Sequence, residues 1–373
     1  MAQGYSLKDQ LFNLEKTRYL AGLFGQASAG FDAPEFETRV MSRLLDLELK
    51  ERMAWIAECL AVALPGALPE VAGTLRAAMP PPLDPDRNDD DFGDFIFAPL
   101  GDFVVNAGLE AHPDLSLELL EEITQRFSME WAIRPFVNRW PDLVMERMAG
   151  WSSHPSTHVR RLVSEGTRPR LPWGQGIGLT PGEPLALLDV LHSDATRYVT
   201  RSVANHLNDI TKKDPDLAMD RLEAWQAQAR QDQAELGWMT RHALRGLVKA
   251  GNPRALRMLG YDPGADLRVG LMIRPGKVRI GEALAFECQV LADQDTPVLV
   301  DYIVHFQRPG GKVSAKVFKL KQSVVQGDRP LVLEKRHRLK GDATTFRLVP
   351  GAHRLELQVN GVVRAGIGFD LVG

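Results

Sequence analysis

Two carboxylates, two arginines and a tryptophan in the middle of the chain have the types and spacing that could do chemistry. Glu130 lies four residues before Arg134, and Glu165 lies four residues after Arg161. Because residues i and i+4 of a helix share one face, each pair would present a carboxylate and a guanidinium group together. Trp173 follows in a segment with two prolines, which cannot continue a helix, so we expect it on a loop close to Glu165.

The spacing alone leaves two interpretations of this set open. Carboxylates that meet in one groove can stabilise positive charge and orient a water, and the π face of a tryptophan also attracts positive charge. Alternatively, the two pairs are surface ion pairs worth a few tenths of a kcal/mol each, and the tryptophan is a packing residue. The convergence of both acids on one groove favours the functional interpretation.

The sequence indicates no other centre of chemistry. It contains no zinc-binding pattern, Walker loop, dinucleotide fingerprint or nucleophile elbow. His154 and His158 are four residues apart, but a proline lies between them and no HExxH glutamate accompanies them. We therefore expect no metal and no cofactor.

An internal repeat of 40 residues carries several of these side chains. The segments Val159–Val163, Val199–Val203 and Met239–Ala243 align without gaps, and a weaker copy in a shortened unit starts at Ile133. A pair of helices needs about 40 residues, the period of HEAT-type arrays, in which each pair buries its apolar face against its neighbours. The repeat therefore predicts a solenoid of stacked helices.

Each copy of the repeat has an arginine at the same position: Arg161, Arg201 and Arg241, with Arg134 as the candidate fourth. Stacked repeats place equivalent positions in a row, with about 10 Å between packed helices. Such a row of guanidinium groups suits a phosphate backbone. HEAT-type arrays also use arginines to cap neighbouring repeats, and the spacing does not separate the two roles.

The character of the sequence changes once along the chain. Up to Tyr261, apolar residues recur at three- and four-residue spacing, as in residues 41–64, and a loop rich in proline and aspartate interrupts them at 80–95. Alternating apolar and polar residues then predict about seven short strands between glycine turns. We predict a mainly α protein, with a HEAT-like repeat α-solenoid at 1–265 and an immunoglobulin-like β-sandwich at 266–373.

Composition indicates a globular chain with an uneven charge. Of 373 residues, 44% are hydrophobic, the start is polar, and no apolar run approaches the roughly 18 residues of a membrane helix. Cys59 and Cys288 cannot form a disulfide framework, so we expect a cytoplasmic protein without a membrane partner. The net charge of −3 conceals a balance of −11 over 1–120, +1 over 121–267 and +7 over 268–373. A basic C-terminal third can bind phosphate, or a small β-domain can simply be basic.

Several segments resemble one branch of a DNA-repair family. The most specific is HVRRLVSEGTRPRLPW (158–173), and the others are LKDQLFNLEKTRYLAGLF, MEWAIRPFV, RSVANHLNDITKKDPDLA and RHALRGLVKAGNPRALRMLGY. They are similar to the AlkC branch of the AlkC/AlkD DNA alkylation-repair glycosylases, some of which carry an immunoglobulin-like extension. The AlkD branch pairs a tryptophan with an aspartate at i and i+4, whereas here Trp131 directly follows Glu130, which favours AlkC.

The resemblance implies a monofunctional DNA glycosylase of base excision repair. Its substrates would be cationic N3-alkylated bases in double-stranded DNA, chiefly 3-methyladenine, with 3-methylcytosine as a further candidate. It would bend the duplex rather than flip the lesion fully out. Carried onto this chain, Glu130 and Glu165 match the acidic active-site positions, Trp173 matches the aromatic one, and Arg161 lies in the same motif.

The expected chemistry follows from the charge of the lesion. An N3-alkylated base is already cationic, so its glycosidic bond is weakened and the leaving base needs no proton. Glu130 and Glu165 would stabilise the cationic sugar and orient a water, without a fixed division of these roles. Trp173 would contact the deoxyribose or the lesion.

DNA contacts are expected from both domains of a monomer. The arginine row would hold one strand, and the β-domain would act as a DNA clamp, although some of its charges could serve solubility only. Its candidate contacts are Lys312, Lys316, Lys319, Lys321, Lys335, Arg336 and Arg338. The alternative function is a non-catalytic HEAT-repeat scaffold or sensor of distorted DNA, which would leave the carboxylate pair without a purpose.

Overall fold

The computed structural model describes residues 6–84, 91–341 and 347–373. The chain divides into two compact units, Met1–Ala243 and Leu244–Gly373. The second unit starts before the predicted boundary at 265/266, because two short helices group with the strands that follow them. The predicted boundary marks instead the change from helix to strand.

Helices build the described part of the first unit. Several begin with proline in the first turn, where its missing N–H group is not needed, and Asn13, Asp32 and Asp214 cap helices with their side chains. The helices are α1 Leu7–Leu11, α2 Leu14–Ala27, α3 Ala33–Met41, α4 Leu49–Ala63, α5 Leu68–Ala78, α6 Ala98–Gly108, α7 Pro113–Thr124, α8 Ile133–Arg139, α9 Pro141–Trp151, α10 Thr157–Gly166, α11 Leu185–Leu191, α12 Arg197–Ile210, α13 Pro215–Gln228 and α14 Gln233–Ala243.

The 40-residue repeat corresponds to neighbouring helices. The three aligned segments lie in α10, α12 and α14, and α12 packs against both of the others. The first residue of each segment is fully buried, namely Val159, Val199 and Met239. The predicted stacking of helical repeats is therefore confirmed, and the repeated apolar positions form its core.

The structure bears on two predictions from the sequence, those about membrane-spanning helices and about the cysteines. Among the described residues, no single helix is long and apolar enough to cross a membrane, and only α4 and α5 together, bent by 112°, meet the length and composition requirements. Cys59 and Cys288 are buried free thiols, one in each unit.

The described part of the second unit has two helices followed by strands in two sheets. Its elements are α15 Arg245–Lys249, α16 Pro253–Met258, β1 Arg268–Ile273, β2 Lys277–Arg279, β3 Ala283–Leu291, β4 Thr296–Gln307, β5 Val313–Val325, β6 Leu331–Arg338, β7 Gly351–Val359 and β8 Val362–Val372. One sheet has the order β1-β3-β6 and the other β2-β8-β7-β4-β5, with only the β2–β8 pair parallel.

Alternating strand residues fill the space between the two sheets. Leu284 and Val290 of β3, Val304 of β4 and Leu355 of β7 are all fully buried in one cluster. An Asn-Gly turn, one of the predicted glycine turns, joins β7 to β8, with positive φ at both residues, which suits a tight hairpin. The predicted fold, helical repeats followed by an immunoglobulin-like sandwich, is confirmed, with eight strands in the described residues rather than about seven.

Candidate active site

The residues predicted for chemistry meet in one cleft of the helical unit. The cleft has a volume of about 460 Å³, and Glu130, Arg161, Glu165 and Trp173 all line it. Aromatic side chains form much of its remaining wall: Phe92, Phe95, Phe127, Trp131 and Tyr198. The predicted convergence of two carboxylates, an arginine and a tryptophan on one groove is therefore what the structure shows.

Two elements place the carboxylates. Arg161 and Glu165 share one face of α10, whose Leu162 and Val163 are fully buried in the core. Glu130 lies in the turn that precedes α8. A helix and a neighbouring turn thus bring the two acids to the same place from sequence positions 35 residues apart.

Arg161 connects the two carboxylates. Its Nη1 donates to Ser128 Oγ at 2.9 Å and to Glu130 Oε2 at 3.3 Å, while its Nη2 lies 3.6 Å from Glu165 Oε1. The Ser128 hydroxyl also donates to Glu130. Burial would lower the pKa of Arg161, but Glu130 and Glu165 outweigh it and raise the pKa. The guanidinium therefore stays charged and fixes both acids.

Glu165 is an ionised carboxylate in a buried position. Burial alone would raise its pKa, but Arg161 and Arg168, together with a hydrogen bond from Ser202, lower it below the ordinary value. Arg168 Nη1 donates to Glu165 Oε2 at 2.8 Å. At neutral pH the group is therefore a negative charge and not a proton donor.

The charge network extends away from Glu165 through Arg168. Arg168 Nε donates to Asp209 Oδ2 at 2.9 Å, and Asp209 also accepts from Lys212 at 2.8 Å. Asp209 is 4% exposed, whereas the Lys212 side chain is 51% exposed and reaches solvent. The three carboxylates Glu130, Glu165 and Asp209 thus lie among Arg161 and Arg168, with Lys212 at the solvent end of the network and the buried Arg134 close enough to interact with Glu165 and Asp209.

Tyr198 and Phe92 form an aromatic wall beside Arg161. The Arg161 guanidinium carbon lies 4.9 Å from the Tyr198 ring centroid and 5.3 Å from that of Phe92. The Tyr198 hydroxyl is buried without a hydrogen-bond partner among the described residues, and burial raises its pKa to about 12. The ring face, not the hydroxyl, is therefore the part of Tyr198 that contacts the arginine.

A close backbone approach places Phe92. Gly93 bridges to Phe127 and has a φ of +81°, and a Cβ added there would lie 1.8 Å from the Arg126 carbonyl oxygen. Only glycine fits this position. The neighbouring stretch 80–84 is irregular, as predicted for the loop 80–95, and residues 85–90 of that loop lie outside the described part of the chain.

Arg134 does not have its predicted role. Its side chain is fully buried and donates to the carbonyl oxygens of Gly166, Arg168 and Gln175, so it cannot reach a phosphate group. The predicted i,i+4 pair with Glu130 is also wrong, because α8 begins at Ile133 and Glu130 precedes the helix. Arg134 holds a loop instead.

The other repeated arginines occupy different environments. Arg161 is 9% exposed inside the site, Arg201 is half-buried and lines the cleft, and Arg241 is exposed on α14. Neighbouring repeats are joined by different arginines: Arg160 lies 2.5 Å from Asp194, and Arg197 pairs with Glu235. Arg160 and Arg197 thus join neighbouring repeats, and Arg161 also reaches beyond its own repeat to Ser128 and Glu130.

The basic residues predicted for the β-domain are exposed, but they do not all share one environment. Lys312 and Lys316 are exposed, and the Lys316 ammonium lies 5.6 Å from the Phe318 ring centroid. Lys319 is opposite Asp301 in the β4–β5 register. Lys321, Lys335, Arg336 and Arg338 are also exposed. Their contact with DNA stays a prediction.

Sequence reasoning missed three residues of the site: Arg168, Asp209 and Tyr198. Arg168 stands three residues after Glu165 in the most specific motif, a spacing that could have been used. Tyr198 had a clearer signal, because the residue before each repeated segment is aromatic, namely His158, Tyr198 and Trp238. Nothing in the sequence pattern marks Asp209.

Trp173 is 57% exposed on the loop after α10, as predicted. Among the described residues, no group of three or more histidine, cysteine, aspartate or glutamate side chains could hold a metal ion. The carboxylates of the cleft face guanidinium groups, and the arrangement can stabilise a cation held against aromatic walls.

Comparisons with known proteins agree with this architecture. The family model YhaZ_C, the C-terminal Ig-like domain of the uncharacterised protein YhaZ, matches residues 268–373. YhaZ of Bacillus subtilis (strain 168) is 32% identical over 330 residues, which cover 87% of this chain and 88% of YhaZ. The structure of the Pseudomonas fluorescens alkylpurine DNA glycosylase AlkC, bound to DNA containing an abasic site analog, is 30% identical with a TM-score of 0.86, and the match covers 99% of this chain and 100% of AlkC. The chain therefore belongs to the family of the alkylpurine DNA glycosylase AlkC and of YhaZ.

Proposed function

We propose that this protein is a DNA glycosylase of alkylation repair. Its substrates are positively charged N3-alkylated bases in double-stranded DNA, with 3-methyladenine first and 3-methylcytosine second. The observation that carries the proposal is the ionised Glu165 carboxylate, which faces an aromatic cleft together with Glu130.

The protonation state of Glu165 matches a cationic leaving group. Excision of a neutral base needs an acid that protonates the base, and a carboxyl group whose pKa is lowered cannot supply that proton at neutral pH. A base alkylated at N3 leaves as a neutral molecule without protonation. The site therefore suits bases that arrive already charged, and a neutral base gains nothing from the carboxylates.

Arg161 sets the geometry for the two acids. Because it bonds Glu130 and approaches Glu165, the carboxylates cannot move apart independently. In the reaction, the pair stabilises the positive charge that develops on the deoxyribose and orients the attacking water. Trp173 contacts the sugar or the lesion from the rim of the cleft.

Double-stranded DNA is the proposed partner, and the lesion is reached without complete flipping. Trp173 is an exposed aromatic side chain at the rim, where its ring can contact the lesion while the base stays in the stack. Arg201 and Arg241 of the helical unit and Lys312 and Lys316 of the β-domain are the proposed phosphate contacts. A 2-aminopurine base placed next to the lesion should gain little fluorescence on binding, whereas complete flipping would unstack it and raise the signal.

Release of free 3-methyladenine from methylated duplex DNA tests the function. The intact protein should release the base, and Glu165→Gln, which keeps the shape and removes the charge, should lose release while still binding DNA. Glu235→Gln is the matched control, because it weakens an arginine–glutamate pair whose residues do not line the cleft. Binding without release by the intact protein would favour the alternative, a sensor of distorted DNA.

An oligonucleotide with one 3-methylcytosine tests the breadth of the substrate class. Release of this base, with no release of unmodified cytosine, is the result that a charge-selective site predicts. Release of neutral damaged bases at similar rates would contradict selection by charge.

A further inference from the structure

Trp173 has a backbone conformation that L side chains rarely adopt. Its φ is +75°, in the left-handed region, and its side chain is 57% exposed at the cleft. A bulky residue stays in this region only when its surroundings restrain it, and such residues are concentrated at functional sites. The structure therefore has to contain the groups that hold Trp173 in place.

One restraint acts behind the loop. The buried Arg134 donates from Nη1 to the carbonyl oxygens of Gly166 and Arg168 and from Nε to that of Gln175, which brackets Trp173 on both sides. A Cβ added at Gly174 would lie 2.9 Å from Arg134 Cδ, so the loop backbone rests directly on this side chain. The loop is therefore anchored before and after Trp173, but not at Trp173 itself.

The peptide of Trp173 is held by a different helix. Lys50, in the first turn of α4, donates from Nζ to the Trp173 carbonyl oxygen at 2.6 Å. The same lysine lies close enough to Asp102 to lower the pKa of that carboxyl, although burial raises it overall. Asp102 in turn accepts a hydrogen bond from Trp131 Nε1 at 3.0 Å, and Trp131 also lines the cleft. Lys50 thus bonds the Trp173 backbone and lies close to Asp102, the hydrogen-bond acceptor of Trp131.

We propose that Lys50 is a positioning residue, which fixes Trp173 at the rim of the cleft before DNA arrives. The inference rests on the proposed function and adds a residue that does not line the cleft. Small displacements of a substrate-contacting group reduce reaction rates strongly, even when the group itself is unchanged. The Lys50 bond is exposed, so its loss should move the tryptophan without unfolding the unit.

Single-turnover excision at saturating enzyme is the test. Lys50→Met should slow release of 3-methyladenine by about tenfold or more, with an unchanged melting temperature and little change in affinity for undamaged DNA. Lys50→Arg should restore most of the rate, because a guanidinium can donate to the same carbonyl oxygen. Lys213→Met, which removes an exposed lysine elsewhere in the helical unit, is the control for lost charge. Weaker DNA binding with an unchanged excision rate would overturn the proposal and make Lys50 a phosphate contact.

A double-mutant cycle shows whether Lys50 acts through Trp173. In the Trp173→Ala background, Lys50→Met should have no further effect on the rate, and two losses that multiply independently would overturn the inference. Hydrogen exchange of segment 167–176 gives a reading that needs no activity. Exchange in this segment should become faster in Lys50→Met and stay unchanged in Lys213→Met. Equal exchange in the intact protein and in both variants would overturn the proposed restraint, even if the intact protein excises no base.

Discussion

Arg168 and Glu165 form an ion pair deep in the cleft, with Arg168 Nη1 2.8 Å from Glu165 Oε2 and side chains only 12% and 5% exposed. The remaining nitrogens of Arg168 face Asp209, at 2.9 Å from Nε and 2.8 Å from Nη2. The positive charge of Arg168 is therefore shared between two carboxylates. Because it is shared, it keeps Glu165 ionised without cancelling its negative charge.

Substitution Asp209→Asn should slow excision although Asp209 does not line the cleft. It removes one negative charge from the network and leaves Arg168 to neutralise Glu165 alone. At an effective dielectric constant of 20, one charge at about 8 Å contributes about 2 kcal/mol, so the lost attraction for the charge that develops on the deoxyribose slows excision by at most roughly 30-fold. Single-turnover excision of 3-methyladenine at saturating enzyme measures the loss.

Asp194→Asn is the matched control for this experiment. The Asp194 side chain is 5% exposed and pairs with Arg160 between two repeats, as Asp209 pairs with Arg168, but neither residue of the control pair lines the cleft. Both variants should melt at lower temperature than the intact protein. Equal losses of excision rate in the two variants would show that Asp209 acts only through stability.

The excision rate should be independent of pH from pH 8 down to about 5, because Glu165 has a pKa below the ordinary glutamate value of 4.5. The active form is the carboxylate, so the rate falls only when pH approaches the lowered pKa. Arg168→Met removes one of the cations that lower this pKa, and burial then acts with less opposition. The acid limb of its pH profile should move toward neutral pH. A limb near pH 7 in the intact protein would contradict an ionised Glu165.

Local spacing predicted some parts of this site well. Arg161 and Glu165 were placed together because residues four apart on a single helix share a face, and α10 is continuous across both. The same rule failed for Glu130 and Arg134, since the start of α8 at Ile133 leaves Glu130 in a turn. A helix boundary depends on capping and packing that spacing does not describe.

Contacts between repeats were beyond prediction from spacing. The 40-residue repeat correctly made α10 and α12 neighbours, but the bond from Arg168 to Asp209 depends on how far each side chain reaches across the packed pair. Arg134 illustrates the same limit, because equivalent repeat positions predicted an exposed guanidinium and the loop after α10 covers it. Periodicity predicts which helices are neighbours, whereas loops decide which side chains remain accessible.

Tyr198→Phe should leave excision unchanged and should not lower the melting temperature. The hydroxyl is buried without a partner among the described residues, so its removal loses no hydrogen bond there and relieves the cost of burying a polar group. Tyr198→Leu should instead slow excision, because it removes the ring beside Arg161. Loss of activity in Tyr198→Phe would show that the hydroxyl contacts DNA or water during the reaction.

The β-domain contains a carboxyl group that should make its stability depend on pH. Asp301 of β4 is 5% exposed, and burial raises its pKa to about 6, against the opposing effect of Lys319 and Lys249. Between the ordinary value of 3.8 and 6, the folded state binds a proton that the unfolded state does not, so stability falls as pH rises through this window. Asp301→Asn should therefore be more stable than the intact protein by about 3 kcal/mol at pH 8 and by only about 1 kcal/mol at pH 4.5.

Urea unfolding of both proteins at these two pH values checks the Asp301 prediction. Asp293→Asn is the control, because the Asp293 side chain is 66% exposed and pairs with an exposed arginine, so it should show no such pH-dependent gain. A gain of the same size at both pH values would mean that the substitution acts through packing and not through charge.

The double substitution of Lys312→Ala and Lys316→Ala should weaken DNA binding without changing the excision rate at saturating enzyme. If each lysine contacts one phosphate, the slope of log K against log salt concentration should fall in magnitude by about 2, since each contact contributes about 0.9. Lys277→Ala, on β2 at the opposite edge of the five-stranded sheet from β5, is the control for lost charge. Fluorescence anisotropy titrations at several salt concentrations measure the slope. If the double variant keeps the slope of the intact protein, these two lysines serve solubility, and the clamp hypothesis loses the contacts on which it depends.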